Sequence, residues 1–153
     1  MTSLHYVSFD DVDSRDFITL LNQQRIREHL IQHDVFDEVS FAEWKASKQA
    51  MDSTKGCRVR ALKLDEKLVG WCGIQLVDEQ FEIALVLDES AWGLGKDVFK
   101  HIMQWAKEFN HRDIFIHLLS TRKEYRYLTK MAHKVFHSRL YGSQFTTYQF
   151  RLS

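Results

Sequence analysis

Apolar positions recur at every second residue in some stretches and at every third or fourth in others, and the change of period marks where strands give way to helices. Residues 57–64 and 68–77 read as a hairpin turning at Asp65-Glu66-Lys67. Residues 81–87 follow across a second turn, Asp78-Glu79-Gln80, which predicts a three-stranded antiparallel meander. Ahead of it, residues 6–9 form a short first strand, and Asp13 or Ser14 caps a helix carrying Phe17, Leu20 and Leu21 that extends toward Leu30. Ser40 with Glu43 is a capping-box pattern opening a second helix, on which Phe41, Trp44, Lys48 and Met51 share a face.

Beyond the meander the period returns to that of a helix. From Lys96 to Asn110, the residues Val98, Phe99, Ile102, Met103, Ala106 and Phe109 make the wide apolar stripe of a helix packed on a sheet. Residues 113–118 form a fifth strand, parallel to the fourth because a whole helix separates them. Thr121 with Glu124 gives another capping box, with Tyr125, Leu128, Ala132 and Val135 as the inner face of the next helix. Residues 137–140 and 146–152 close the chain as a hairpin around Gly142. The order β-α-α-β-β-β-α-β-α-β-β predicts an α/β fold with a mixed central sheet of about seven strands.

Composition narrows the function classes. The chain has 153 residues, one domain's worth, so residues 1–153 are expected to share a single core. Its 21 Lys and Arg balance its 21 Asp and Glu, which leaves no global field for nucleic acid or an anionic membrane. Two cysteines, Cys57 and Cys72, and the lack of a signal-peptide pattern or apolar span point to a reduced, cytoplasmic protein. His29/His33 and His133/His137 have helical metal-ligand spacing but no third ligand, so no metal is expected.

The densest chemistry lies where the fourth strand runs into Ser90-Ala91-Trp92-Gly93-Leu94-Gly95 and then directly into a helix. Glycines there let main chain approach a ligand, and the helix start offers unsatisfied amides and a positive dipole end, the ingredients of a phosphate site. This segment matches both glycines of the Arg/Gln-x-x-Gly-x-Gly/Ala signature after the fourth strand, with Ser90 where Arg or Gln is preferred. Together with the element order, it resembles the GNAT superfamily of acyl-CoA-dependent N-acyltransferases. Trp92-Gly93-Leu94-Gly95 and the upstream Leu68-Val69-Gly70-Trp71-Cys72-Gly73 resemble most the branch containing ribosomal-protein N-acetyltransferases.

The resemblance implies acetyl-CoA as cosubstrate and a primary amine as acceptor, joined in a ternary complex. It implies that strands four and five splay apart, with the pantetheine arm on the main chain of Leu85, Val86 and Leu87. The pyrophosphate would then rest on the amides of Trp92, Gly93, Leu94, Gly95 and Lys96. Arg122 and Lys123 are further candidates for CoA phosphates, and Glu28, His29, Trp44 and Tyr141 for lining the acceptor. Glu82 matches the position of the glutamate base of several family members, and the competing reading is an ordinary solvated carboxylate. Tyr125 is the favoured acid for the departing thiolate, ahead of Thr129, Tyr127 and His117, or else a core tyrosine. His117 is either a proton relay or a structural histidine. A homodimer is compatible with this reading. The alternative function is a non-catalytic acyl-CoA-binding or protein-interaction module that keeps the fold.

Overall fold

The computed structural model describes residues 3–28, 35–120, 125–140 and 142–152, with Glu28 described by its backbone alone. Arg122, Lys123, the Thr121/Glu124 capping pattern, His29, His33 and Tyr141 lie outside the described residues. Seven strands form one sheet: β1 (Leu4–Val7), β2 (Arg58–Leu64), β3 (Lys67–Val77), β4 (Gln80–Leu87), β5 (Asp113–Leu119), β6 (Lys134–Leu140) and β7 (Ser143–Arg151). Their spatial order is β1-β2-β3-β4-β5-β7-β6, and among the described residues only the β4/β5 pair is parallel. The meander β2-β3-β4 follows the alternation in the sequence. Its tight turns put Asp65, Asp78 and Glu79 at positive φ, 56°, 48° and 67°.

Helices α1 (Ser14–Leu21), α2 (Gln24–Glu28), α3 (Glu38–Asp52), α4 (Gly95–Glu108) and α5 (Arg126–Met131) complete the mixed α/β architecture. Two apolar cores result. One joins Ile74, Ile83 and Ile114 of the sheet to Val98, Phe99, Ile102 and Trp105 of α4, with Leu128 of α5. The other joins Ala61, Trp71 and Val86 to Phe17, Leu20 and Leu21 of α1, Ile26 of α2 and Phe41 of α3. Strand β4 therefore faces apolar matter on both sides: Ile83, Leu85 and Leu87 pack with the first core, Ala84 and Val86 with the second. Fully buried Phe17, Ile102 and Ile114 each contribute about 1.5–3 kcal/mol of transfer free energy to holding these layers. Among the described residues no helix is long and apolar enough to cross a membrane.

Several element boundaries differ from those expected, the closing hairpin for one starting at Lys134 and Ser143 instead of residues 137 and 146. The first strand ends at Val7, because the Ser8 hydroxyl accepts from the Asp10 amide and turns Phe9–Asp11 into a 3-10 segment. The first helix stops at Asn22, whose side chain donates to the Phe36 carbonyl at 2.9 Å and accepts from its amide at 2.8 Å, and the chain restarts as α2. The α3 capping box uses Asp37 as cap and Ser40 as the third helical residue, so this helix starts earlier than predicted. Tyr125 precedes α5 rather than riding its inner face, and Val135 belongs to β6.

Candidate active site

Among the described residues the two parallel strands share one register pair, Glu82 with Phe115, and none follows it toward Leu87. Among the described residues the β5-facing edge of β4 from Leu85 to Leu87 has no strand partner, while its other edge pairs with β3 throughout. The open end of this gap leads to the 3-10 segment Glu89–Leu94 and the start of α4.

At that start the main chain is accessible. A methyl group built on Gly93 would meet nothing within 4 Å, and one on Gly95 would meet only a Leu87 side-chain carbon at 3.8 Å. No side chain caps the first turn of α4, and the Gly95 N–H donates to the Trp92 carbonyl. Trp92 is 47% exposed, with its indole N–H on the Leu87 carbonyl at 3.1 Å. Lys96 holds its ammonium 4.5 Å from the centre of the Tyr127 ring, so a cation sits at the dipole end that favours anions. Ser90 donates to the Asp88 carboxylate at 2.5 Å, tying the turn, and Arg25 of α2 pairs with Glu89 at 3.2 Å.

Glu82 lies at the closed end of the gap, its side chain 22% exposed, on the face covered by α1–α3. Burial, with a smaller contribution from the Asp78 charge, raises its pKa from 4.5 to about 7. His117 of β5 brings Nε2 to 3.6 Å from Glu82 Oε1. Its Nδ1 lies 2.7 Å from the Thr147 hydroxyl, which lies 2.8 Å from the Ser138 hydroxyl. This chain is satisfied when Ser138 donates to Thr147 and Thr147 to Nδ1, which leaves the imidazole proton on Nε2, facing Glu82. Burial lowers the His117 pKa and favours the neutral ring. The carboxylate and the imidazole are thus pushed toward each other's proton affinity, an arrangement suited to proton transfer near neutral pH.

Tyr125 is 42% exposed at the N-terminal cap of α5, and its amide donates to the Tyr148 hydroxyl at 3.4 Å. The Thr129 hydroxyl is engaged with the Tyr125 carbonyl at 3.1 Å. Trp44 packs on Phe9, Phe17 and Trp71 under the Glu82 face. His133 follows α5 and His137 lies on β6, so their spacing is not that of one helix. The partners of His117 escape sequence reading because Thr147 and Ser138 belong to a hairpin that returns from the far end of the chain. Two adjacent threonines between Phe145 and Tyr148 are the available signal.

A family model described as the Acetyltransferase (GNAT) family matches residues 17–132. No curated protein matches the sequence significantly. Among solved structures, the acetyltransferase of GNAT family from Streptococcus pneumoniae superposes with a TM-score of 0.75 at 11% identity, covering 100% of each chain. Spermidine N-acetyltransferase from Vibrio cholerae, in complex with CoA and spermine, has a TM-score of 0.70 at 11% identity, covering 98% of this chain and 95% of that one. PaiA N-acetyltransferase from Thermoplasma acidophilum, in complex with coenzyme A, has a TM-score of 0.64 at 11% identity, covering 99% of each.

Proposed function

The chain belongs to the acetyltransferase (GNAT) family, and on that premise we propose that it transfers an acetyl group from acetyl-CoA to a primary amine by direct attack in a ternary complex. The observation that carries this reading is the meeting of a half-buried carboxylate of raised pKa with the closed end of a strand gap that opens on an accessible glycine turn. The pantetheine arm lies along the unpartnered edge Leu85 to Leu87, and the pyrophosphate approaches the turn from Trp92 to Lys96. Neighbours of the same fold in complex with CoA support acetyl-CoA as the cosubstrate. The likeness to the ribosomal-protein branch rests on the two tryptophan-glycine motifs alone.

Glu82 takes the proton of the acceptor ammonium, directly or through a water, and the freed amine attacks the thioester carbonyl. Main-chain amide near Val86 polarises that carbonyl as the C–S bond breaks. Tyr125, exposed at the start of α5, gives its proton to the departing thiolate. The neutral His117, held by Thr147 and Ser138, orients the carboxylate. The test is thiol release from acetyl-CoA across amines, amino acids, peptides and polyamines. Glu82→Gln lowers turnover by about 10² or more with acetyl-CoA affinity nearly intact, and Tyr125→Phe lowers it by about 10- to 100-fold. Normal turnover in Glu82→Gln contradicts the base assignment, and full activity in Tyr125→Phe contradicts the acid.

A further inference from the structure

The face of the sheet that carries Glu82 also holds a cation without an anion. Lys48 lies one turn beyond Trp44 on α3, and its Nζ donates to the side-chain carbonyl Oε1 of Gln75 on β3. The same ammonium stands 5.8 Å from the centre of the Trp44 ring and 5.1 Å from that of Trp71. Among the described residues no carboxylate lies within ion-pair distance of it. Burial holds its pKa below that of a solvated lysine. The indole N–H of Trp71 is itself buried without a hydrogen-bond partner among the described residues, so the donors of this cluster outnumber its one acceptor, Gln75 Oε1.

Its position relates it to the base. Gln75 is the register partner of Glu82, and side chains directly opposite in an antiparallel pair have Cβ atoms about 4.5–5.5 Å apart. The next pair on this face is Gly73 with Ala84, and then Trp71 with Val86. Ala84 is only partly buried although it sits mid-strand in the middle of the sheet. Along this face only the Ala84 methyl stands between Val86 and Glu82, the Cβ direction of Gly73 being closed by the Arg58 carbonyl, and Gln75, the partner of Lys48, stands beside Glu82.

Packing alone does not account for Lys48. An ammonium has three donors, one amide oxygen takes one of them, and two aromatic faces offset only part of the lost hydration. Methionine would fill the same space between the rings without that cost.

We propose that Lys48 binds a carboxylate of the acceptor, making the acceptor an amino-carboxylate whose amine reaches Glu82 while its carboxylate rests on the Lys48 ammonium. This rests on the transferase reading of the site. It excludes polyamines as good acceptors, since a second ammonium would face Lys48 instead of a counter-charge. The Vibrio cholerae neighbour, named for spermidine, differs from this chain in that respect.

The test uses CoA-saturated protein titrated by calorimetry with glycine, β-alanine, 4-aminobutyrate and 6-aminohexanoate, each against its primary amide, with spermidine alongside. A dipeptide amide beginning with aspartate separates a peptide acceptor from a free amino acid. The expected result is that at least one carboxylate binds about 10- to 100-fold more tightly than its amide. Lys48→Met brings the two within about twofold, and Lys48→Arg retains the preference. Equal binding of every carboxylate and its amide by the wild type overturns the proposal even where Lys48→Met fails to fold, as does a preference that survives in folded Lys48→Met. Thiol release separates the two readings. Lys48-dependent carboxylate binding without release keeps the proposal and removes catalysis, whereas equal release with carboxylates and amides keeps catalysis and removes the proposal.

Discussion

A methyl group added to Gly70 of β3 would lie 2.0 Å from the Val86 carbonyl oxygen, and one on Gly73 would lie 2.3 Å from that of Arg58. At Gly93 and Gly95 the same addition meets open space or an ordinary contact. Neither turn glycine has positive φ, and Gly95 has helical angles of −55° and −41° that any residue adopts. The first pair is required by strands that approach too closely for a side chain. The second pair is not required by the fold, and a glycine at a helix start costs stability relative to alanine. Glycines that the fold does not require suit the proposed approach of CoA to the main chain there. Glu82 and Lys48 belong to the same class, since each is a charged group held partly out of water without full compensation.

The sharpest way to break this contrast is on β3. Gly70→Ala should lose about 3 kcal/mol or more of unfolding free energy, or fail to fold, because the obstacle is backbone and not a side chain that can move. Urea unfolding measures it, and a folded Gly70→Ala of near-wild-type stability removes the distinction between the pairs.

Glu82→Gln should show the opposite sign. The carboxyl keeps its proton up to about pH 7 in the fold but only to 4.5 as an ordinary glutamate, so the native state binds more protons between these values. Stability therefore falls as pH rises through that window. The variant should be more stable than wild type at pH 8, by on the order of 1 kcal/mol given the carboxylate's remaining solvent contact, and the gain should vanish below pH 4.5. Thermal unfolding at the two pH values reads the difference. Wild-type turnover should fall as pH drops below about 7, where the base becomes protonated.

The smallest effect is expected at Gly95. Gly95→Ala should raise the unfolding free energy by about 0.5 kcal/mol through reduced freedom of the unfolded chain, while weakening acetyl-CoA binding. A variant that loses stability at unchanged affinity would reverse the assignment of that glycine.

The strand-turn-helix unit was legible because its features are local: the alternation of β4, the two glycines and the stripe of α4 all lie within about thirty residues, the scale on which pattern reading works. Glu82 was legible for the same reason, as a carboxylate in an apolar strand. The break after α1 was not, because the Asn22 link to Phe36 joins residues 14 apart in sequence and overrides the helical period. The cap of α3 was misplaced because Asp37 and Ser40 both suit a capping box, and only the backbone angles decide between them. The hydrogen bonds of His117 with Thr147 and Lys48 with Gln75 span 30 and 27 residues and depend on sheet order, which no single segment encodes. Lys48 stood out only as a charge on an otherwise apolar helix face.

The central claim, that Gly93 is kept for a ligand and not for the fold, is tested most directly by titrating acetyl-CoA calorimetrically into wild type and Gly93→Val, with urea midpoints of both. The wild type should bind, and the variant should keep its urea midpoint while losing about 100-fold in affinity, the loss expected when charge-assisted contacts to main chain are blocked. Unchanged affinity in a folded Gly93→Val, or no binding by the wild type, would contradict it.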